Sequence, residues 1–285
     1  MGGGSWTRSS FETYSKKMGR AVADGRVVGD YSAQEMFKSR GLAPELNPYN
    51  VVRECVDSEE HPETIPVIIG IDVTGSMGAA GVEVAKSLSA IIEDLYTKYK
   101  DIEFMVMGIG DLAYDHAPIQ ISQFESDIRI ADQLDKVWFE RGGGGNAFES
   151  YTAAWYMGLN HTKLDCWKRG KKGIIITTGD EPMNPYLPQR ALANATGDNV
   201  QTDVETNALY NDVIEKFNVY HIAVDDRSTS FKRYEERIDN SFGQILGDRL
   251  KKATLNNLAD KVIECIDDAL NNDGNTTDTN GLISW

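Results

Sequence analysis

The chain has 285 residues, enough for one large core or for one core with a small appendage. Hydrophobic residues at 41% and charged residues at 26% are ordinary for a globular protein, but 44 acidic against 29 basic side chains give a formal charge of −15. Such a surface repels nucleic-acid phosphates and anionic lipid head groups, which excludes both as expected partners.

Residues 1–64 are polar, with turn signals at Asp24-Gly25, Gly41 and Asn47-Pro48. Ser32-Ala-Gln-Glu35 reads as a capping box opening a helix that runs to Arg40. The apolar content is too thin for a separate core, so 1–64 is expected to be an arm packed on a domain spanning 65–270. Ile65 to Asp72 is a β-branched apolar run ending in a carboxylate, the pattern of a strand buried on both faces. Val84, Leu88, Ile91, Ile92 and Leu95 recur at helical spacing within Met77 to Tyr99. Ile102 to Ile109 repeats the buried-strand pattern, and Ile119 to Phe124, after Pro118, suits a sheet edge. Helices are expected over Ala131 to Phe139 and Ala147 to Leu159, on either side of Gly142 to Gly145. Gly173 to Asp180 is a further buried strand ending in a carboxylate. Val204 to Phe217 reads as a helix, Val219 to Val224 as a strand, Arg249 to Thr254 as a weakly β last strand, and Leu255 to Leu270 as an amphipathic closing helix. The polar tail 271–285 is expected to be flexible. Alternating strands and helices predict an α/β fold with a doubly wound, mostly parallel, Rossmann-like sheet, one antiparallel edge strand, and helices on both faces.

Cys55, Cys166 and Cys265 are far apart and odd in number, with no CxxC pair, which argues against a disulfide framework or zinc site. His61, His116, His161 and His221 are equally scattered and supply no base for a nucleophile, so no catalysis is expected. The start MGGGSWTRSS lacks an apolar h-region, Trp6 breaks a myristoylation pattern, and no apolar run is long enough to span a bilayer. The expectation is a soluble cytoplasmic protein, and a virion component would read the same way.

Ligands of open α/β sheets bind beyond the carboxyl ends of the strands. There Asp72-Val-Thr74-Gly-Ser76 brings one carboxylate and two hydroxyls around a turn, a set of hard oxygens suited to Mg²⁺, with Mn²⁺ or Ca²⁺ as alternatives. Ser76 equally suits a helix N-cap. Asp111, Asp115 and His116 lie near the same edge and read first as solvated loop residues.

Asp72-Val-Thr74-Gly-Ser76 resembles the DxSxS motif of von Willebrand factor A (vWA) domains, with Thr74 replacing the first Ser. The order of strands and loops over 65–270 is similar to that family. Gly143-Gly-Gly-Asn-Ala-Phe-Glu149 and Gly179-Asp-Glu-Pro182 resemble the GGGDxPE and GDxP segments of bacterial and phage-like intracellular members. The resemblance implies a metal-ion-dependent adhesion site (MIDAS) in which Asp72, Thr74, Ser76, Asn146 and Asp180 hold the ion, with Glu149 as a further candidate through water or as a helix cap. It implies a protein–protein interaction module whose under-neutralised cation is completed by a partner's Asp or Glu, and for intracellular members a MoxR-type AAA+ ATPase as partner. Two other readings compete. Asp72-Val-Thr-Gly75 also resembles the strand-end aspartate of haloacid-dehalogenase phosphotransferases, with Lys171 or Lys172 as the catalytic lysine, although Lys is absent at 73, Asp at 74, and a GDxxND pattern after Asp180. A structural assembly protein with an inactive metal site is the other. A nucleotide-binding Rossmann site is a weaker reading still, since Gly142 to Gly145 does not follow a clear strand and Gly108-Ile-Gly110 lacks a third glycine.

Overall fold

The β-branched apolar runs can be buried on both faces only inside a sheet covered by helices on each side. In the computed structural model, which describes residues 4–140 and 148–271, six strands form that sheet: β1 Ile65–Asp72, β2 Ile102–Ile109, β3 Ile119–Ile121, β4 Gly173–Gly179, β5 Phe217–Val224 and β6 Leu250–Ala253. Their order is β6-β5-β4-β1-β2-β3. All neighbours run parallel except β3, which is antiparallel to β2 at one edge. The chain builds outward from β1 through β2 to β3, then returns to the other side of β1 for β4, β5 and β6. Strand order therefore reverses between β1 and β4.

Nine α-helices of four or more residues accompany the sheet among the described residues: α1 Arg8–Lys17, α2 Ala33–Met36, α3 Gly78–Lys98, α4 Arg129–Asp135, α5 Ala153–Asn160, α6 Gln189–Thr196, α7 Thr206–Val213, α8 Phe231–Ile238 and α9 Leu258–Asn271. The two-residue period of a strand sends alternate side chains of β1 to opposite faces. Val67, Ile69 and Ile71 join a core with α3, α4 and α9, whereas Ile68 joins a second core with Trp155 of α5, Tyr210 of α7 and Phe231 of α8.

Residues before β1 belong to the first of these cores. Trp6, Phe11, Val27, Met36, Phe37 and Leu46 are buried there against α3 and its neighbours. Asp24 and Gly25, both at positive φ, turn the hairpin of strands Ala21–Ala23 and Arg26–Val28. Arg53–Cys55 pairs in parallel with Thr162–Leu164.

Several elements differ from their sequence patterns for local reasons. The capping box at Ser32 and Glu35 forms, but α2 ends at Met36 because Phe37 turns extended and stacks on Phe139, ring centroids 4.4 Å apart. α4 stops at Asp135 rather than continuing to Phe139. Gln120 exchanges two hydrogen bonds with the backbone of Trp138, and the Glu140 N–H donates to Val73 O, so 138–140 are tied to the sheet. α5 starts at Ala153 and not at Ala147: Glu149 bridges Met183, Leu112 N donates to Ser150 Oγ, and Thr152 N donates to Asn184 Oδ1. Helices α1, α6 and α8 had no clear sequence signal. No helix among the described residues is long and apolar enough to cross a membrane.

One buried ion pair ties the early part of the chain to α4. Arg20 meets Asp135 at 2.8 Å, with both side chains under 10% exposed, and also donates to Met36 O. Tyr14 donates to the other Asp135 oxygen. Removing one partner strands a buried charge, whereas replacing both by apolar groups does not. Arg20→Met is expected to lower unfolding stability by about 3–5 kcal/mol, and Arg20→Met/Asp135→Leu to recover most of that loss in urea titration. An unrecovered double variant would show that the pair contributes more than mutual neutralisation.

Candidate functional site

The parallel register sets the ends of β1 and β4 side by side, with Ile71 opposite Thr178 and Asp72 opposite Ile109 of β2. Asp72 and Asp180 thus emerge at the same edge of the sheet, on the two sides of the order reversal. Both are fully buried.

Asp72 is held by donors from two directions. Its Oδ1 accepts the Thr74 N–H at 2.8 Å and the Thr74 hydroxyl at 2.5 Å, and its Oδ2 accepts the Tyr151 hydroxyl at 2.7 Å. Because the Thr74 proton points at Asp72, the lone pairs of Thr74 Oγ1 face away from it. Ser76 Oγ lies 3.5 Å from that oxygen. Ser76 does not cap α3: the N-cap position is Met77, without a side-chain hydrogen bond. Asp180 Oδ2 accepts the Ser230 N–H at 2.5 Å, just before α8. Its Oδ1 is buried without a hydrogen-bond partner. The Ser76 hydroxyl is near enough to draw the Asp180 proton affinity down without meeting hydrogen-bond geometry at Oδ1.

Three further acids crowd the same edge. Glu149 is 3% exposed and its Oε2 has no hydrogen-bond partner. Asp111, two residues beyond β2, is 3% exposed, which corrects its reading as a solvated loop residue. Its Oδ1 accepts from Ala113 N, and its own N–H donates to Asp115. His116 does fit that reading, being highly exposed beside Glu140. Glu181 follows Asp180. Burial pushes the carboxyls of Asp72, Glu149 and Asp180 upward. Asp72 is pushed further by Asp180, and Glu149 by Asp72 and Glu181. Glu181 rises to about 7 through burial, then Asp180 and Asp111, against the pull of Arg233 and Arg237. Asp115 rises to about 6, mainly through burial.

Of the residues singled out from the sequence, Asp72, Thr74, Ser76 and Asp180 come together. Glu149 lies close by, and since the N-cap position of α5 is Thr152, its candidate role as a helix cap is corrected. Asn146, with the Gly-rich stretch 141–147, lies outside the described residues. Among the described residues no three His, Cys, Asp or Glu side chains converge as a cation cage by themselves. Lys171 and Lys172 precede β4 at the opposite edge of the sheet. Its seven residues, at roughly 3.3 Å each, put them about 20 Å from Asp180.

Tyr151 was missed, because no sequence pattern marks a lone tyrosine as a carboxylate partner. It is fully buried, its oxygen also accepts the Glu181 N–H at 3.3 Å, and its ring meets His221 edge-on at 5.0 Å. Gly179 makes room for it: a Cβ there would lie 2.1 Å from the Tyr151 oxygen and 2.3 Å from Cζ. His221 is itself fully buried, stacked 3.7 Å from Phe242, bonded at Nδ1 to Thr177 Oγ1, and unpartnered at Nε2. Burial lowers its pKa from 6.5 to about 3.

No protein-family model matches the chain, and no curated protein matches it. Among solved structures it is similar to the pilus adhesin SpaC of Lactobacillus rhamnosus GG, at 13% identity and TM-score 0.46 over 75% of this chain and 32% of that one. The open conformation of SpaC gives 12% and 0.43 over 76% and 31%. Proximal thread matrix protein 1 of the mussel byssus gives 12% and 0.46 over 73% and 48%. The chain therefore spans about a third to a half of those proteins' lengths. At these identities and scores the likenesses carry no functional assignment.

Two outcomes follow from this packing. Gly179→Ala is expected to cost about 1–3 kcal/mol or more, since Tyr151 has no free space to retreat into. A neutral result in thermal unfolding would mean that the ring moves aside readily. His221 stays neutral in the fold while the unfolded chain takes up its proton near pH 6.5. The stability associated with the neutral ring is complete above pH 6.5 and is lost as pH falls toward 3. The unfolding free energy of wild type relative to His221→Gln is expected to fall between pH 6.5 and 4, by up to about 1.4 kcal/mol per pH unit. A pH-independent difference would overturn the assignment.

Proposed function

We propose that the chain is a vWA-type, doubly wound α/β module that holds Mg²⁺ at Asp72, Thr74, Ser76 and Asp180 and through it binds an acidic protein partner. The observation that carries this reading is the pairing of Thr74 with Asp72. Its hydroxyl proton is spent on the carboxylate, so its lone pairs face outward beside Ser76 Oγ. The strand order, reversing between β1 and β4 with β3 antiparallel, is the arrangement in which an open α/β sheet offers a crevice at that point.

The residues present fit a hard divalent cation. The donors are all oxygen, and Asp180 Oδ1 is buried without a partner. The proton affinities of Asp72, Asp180 and Glu149 are raised first by burial, and at Asp72 and Glu149 also by neighbouring acids, whose charge a cation would offset. When bound, the ion would supply an electrophilic centre to which a carboxylate oxygen of a partner binds. This chain's own residues then have separate tasks. Thr74 and Ser76 present neutral oxygens, Asp180 presents charge, and Tyr151 fixes the orientation of Asp72 from behind.

Binding is favoured over phosphoryl transfer on two grounds. The first is the absence of the residues that the transferase pattern needs at positions 73 and 74, where Val73 and Thr74 stand, and the second is the place of its lysines. The lysines required by the transferase reading stand at the wrong end of β4.

Addition of Mg²⁺ at about a hundredfold its Kd is expected to stabilise the protein by roughly 2.7 kcal/mol, several degrees in Tm, relative to EDTA. The shift should vanish in Asp72→Ala and shrink in Ser76→Ala. An unshifted wild type at millimolar Mg²⁺, Mn²⁺ and Ca²⁺ would end this reading, and so would an equal shift in Asp72→Ala.

A further inference from the structure

The loop Thr74-Gly75 faces the acidic site on one side and a cavity of about 630 Å³ on the other. The cavity's remaining walls come from the early part of the chain (Ala33, Gln34, Phe37, Ser39, Arg40) and from Trp138, Phe139 and Glu140. Its size falls within the roughly 300–1,000 Å³ typical of ligand pockets. Two glycines at the start of α3 let these walls approach. A Cβ at Gly81 would lie 2.3 Å from Phe139 Cζ, and one at Gly78 would lie 3.1 Å from the Ala33 Cβ. Phe139 is also held by its stack on Phe37, and the Trp138 backbone by its two bonds to Gln120. The Phe139 wall is therefore in place before any ligand arrives.

Charge is distributed unevenly around this cavity. Glu140 is committed inward, accepting from Ala117 N and pairing with His116. Arg40 is exposed at the rim and makes no ion pair among the described residues, in a chain whose formal charge is −15. The cavity thus combines in its lining the Thr74-Gly75 loop next to the proposed cation, a guanidinium without an ion pair among the described residues, and the residues Phe37, Trp138 and Phe139.

Resting on the Mg²⁺ reading above, we infer that the cavity is a specificity pocket for the partner. It receives an aromatic or large aliphatic side chain of a peptide segment whose acidic residues lie on both sides of it. One carboxylate meets the ion at Thr74 and Ser76, the apolar side chain enters between Phe139, Trp138 and Ala33, and the second carboxylate pairs with Arg40. The partner is thus an extended acidic segment with an apolar centre. Burial of an aromatic ring against the preformed Phe139 wall supplies affinity without reordering that wall.

The test uses the full chain and two fluorescein-labelled peptides, Asp-Gly-Trp-Gly-Asp and Asp-Gly-Gly-Gly-Asp, measured by anisotropy in Mg²⁺ and in EDTA. Free indole, followed by saturation-transfer NMR in EDTA, probes the pocket without the ion. In Mg²⁺ the Trp peptide should bind about tenfold or more tighter than the Gly peptide. Ala33→Leu, which fills the pocket, should remove that difference and the indole signal while keeping the Mg²⁺ shift in Tm. Arg40→Glu should weaken the Trp peptide and leave indole unchanged. Equal affinities of the two peptides, or an indole signal indifferent to Ala33→Leu, would overturn the pocket. Trp-peptide binding that is unchanged in EDTA but lost in Ala33→Leu would overturn the cation reading and leave the pocket standing.

Discussion

A carboxylate buried at the end of a central strand is the constraint around which this edge of the molecule is organised. Taking Asp72 out of water costs several kcal/mol unless its oxygens are satisfied, and the chain satisfies them without a basic residue. Thr74 supplies two donors by turning back over the strand end, and Tyr151 supplies the third from below. That third donor dictates a glycine at 179, and the Tyr151 ring in turn packs on His221. The Arg20–Asp135 pair is a useful contrast within the same protein. There a guanidinium cancels the buried charge and fastens two parts of the chain together. At Asp72 hydroxyls and an amide orient the carboxyl without a countercharge among the described residues, and burial together with the negative potential of Asp180 raises its proton affinity instead.

The architecture brings this potential to one place. β1 and β4 are neighbours in the sheet but distant in sequence, and the chain reaches β4 only after completing β2 and β3 on the other flank. The loops after β1, β2 and β4 consequently open at a common edge, carrying Thr74 and Ser76, Asp111, and Asp180 with Glu181. The early residues of the chain add a wall that a bare sheet-and-helix domain would lack, placing Phe37 and Arg40 beside Thr74.

Much of the central sheet was legible because its strands are long, β-branched and buried on both faces, a pattern with few alternatives. β1 and β2 fall at the expected residues, and β4 ends one residue before the expected Asp180. Periodicity failed where hydrogen bonds between distant residues override helix propensity. Residues 138–140 and 149–152 bond to Gln120, Val73, Leu112 and Asn184 instead of extending α4 and α5, and no local pattern records those partners. α8 went unread because only Phe231, Tyr234 and Ile238 are buried among charged neighbours. Within the site, the meeting of Asp72, Thr74 and Ser76 follows from proximity in sequence, and that of Asp180 from strand order. Tyr151 and Asp111 depend on burial in the folded chain. A hydroxyl or carboxylate on a polar loop looks the same in sequence whether water or protein covers it.

The lysines that made Leu250–Ala253 look weakly β have a role that follows from its position. β6 is an outer strand, and one of its backbone edges has no neighbour in the sheet among the described residues. Lys251 reaches Glu264 and Asp268 of α9, and Lys252 reaches Glu235 and Asp239 around α8. The strand is short and its ammonium groups are anchored, so a second chain would have to desolvate them to add a strand there. The opposite edge is the three-residue β3, where Gln120 is tied to Trp138. Both borders of the sheet are thus short strands, the kind of edge that discourages strand addition.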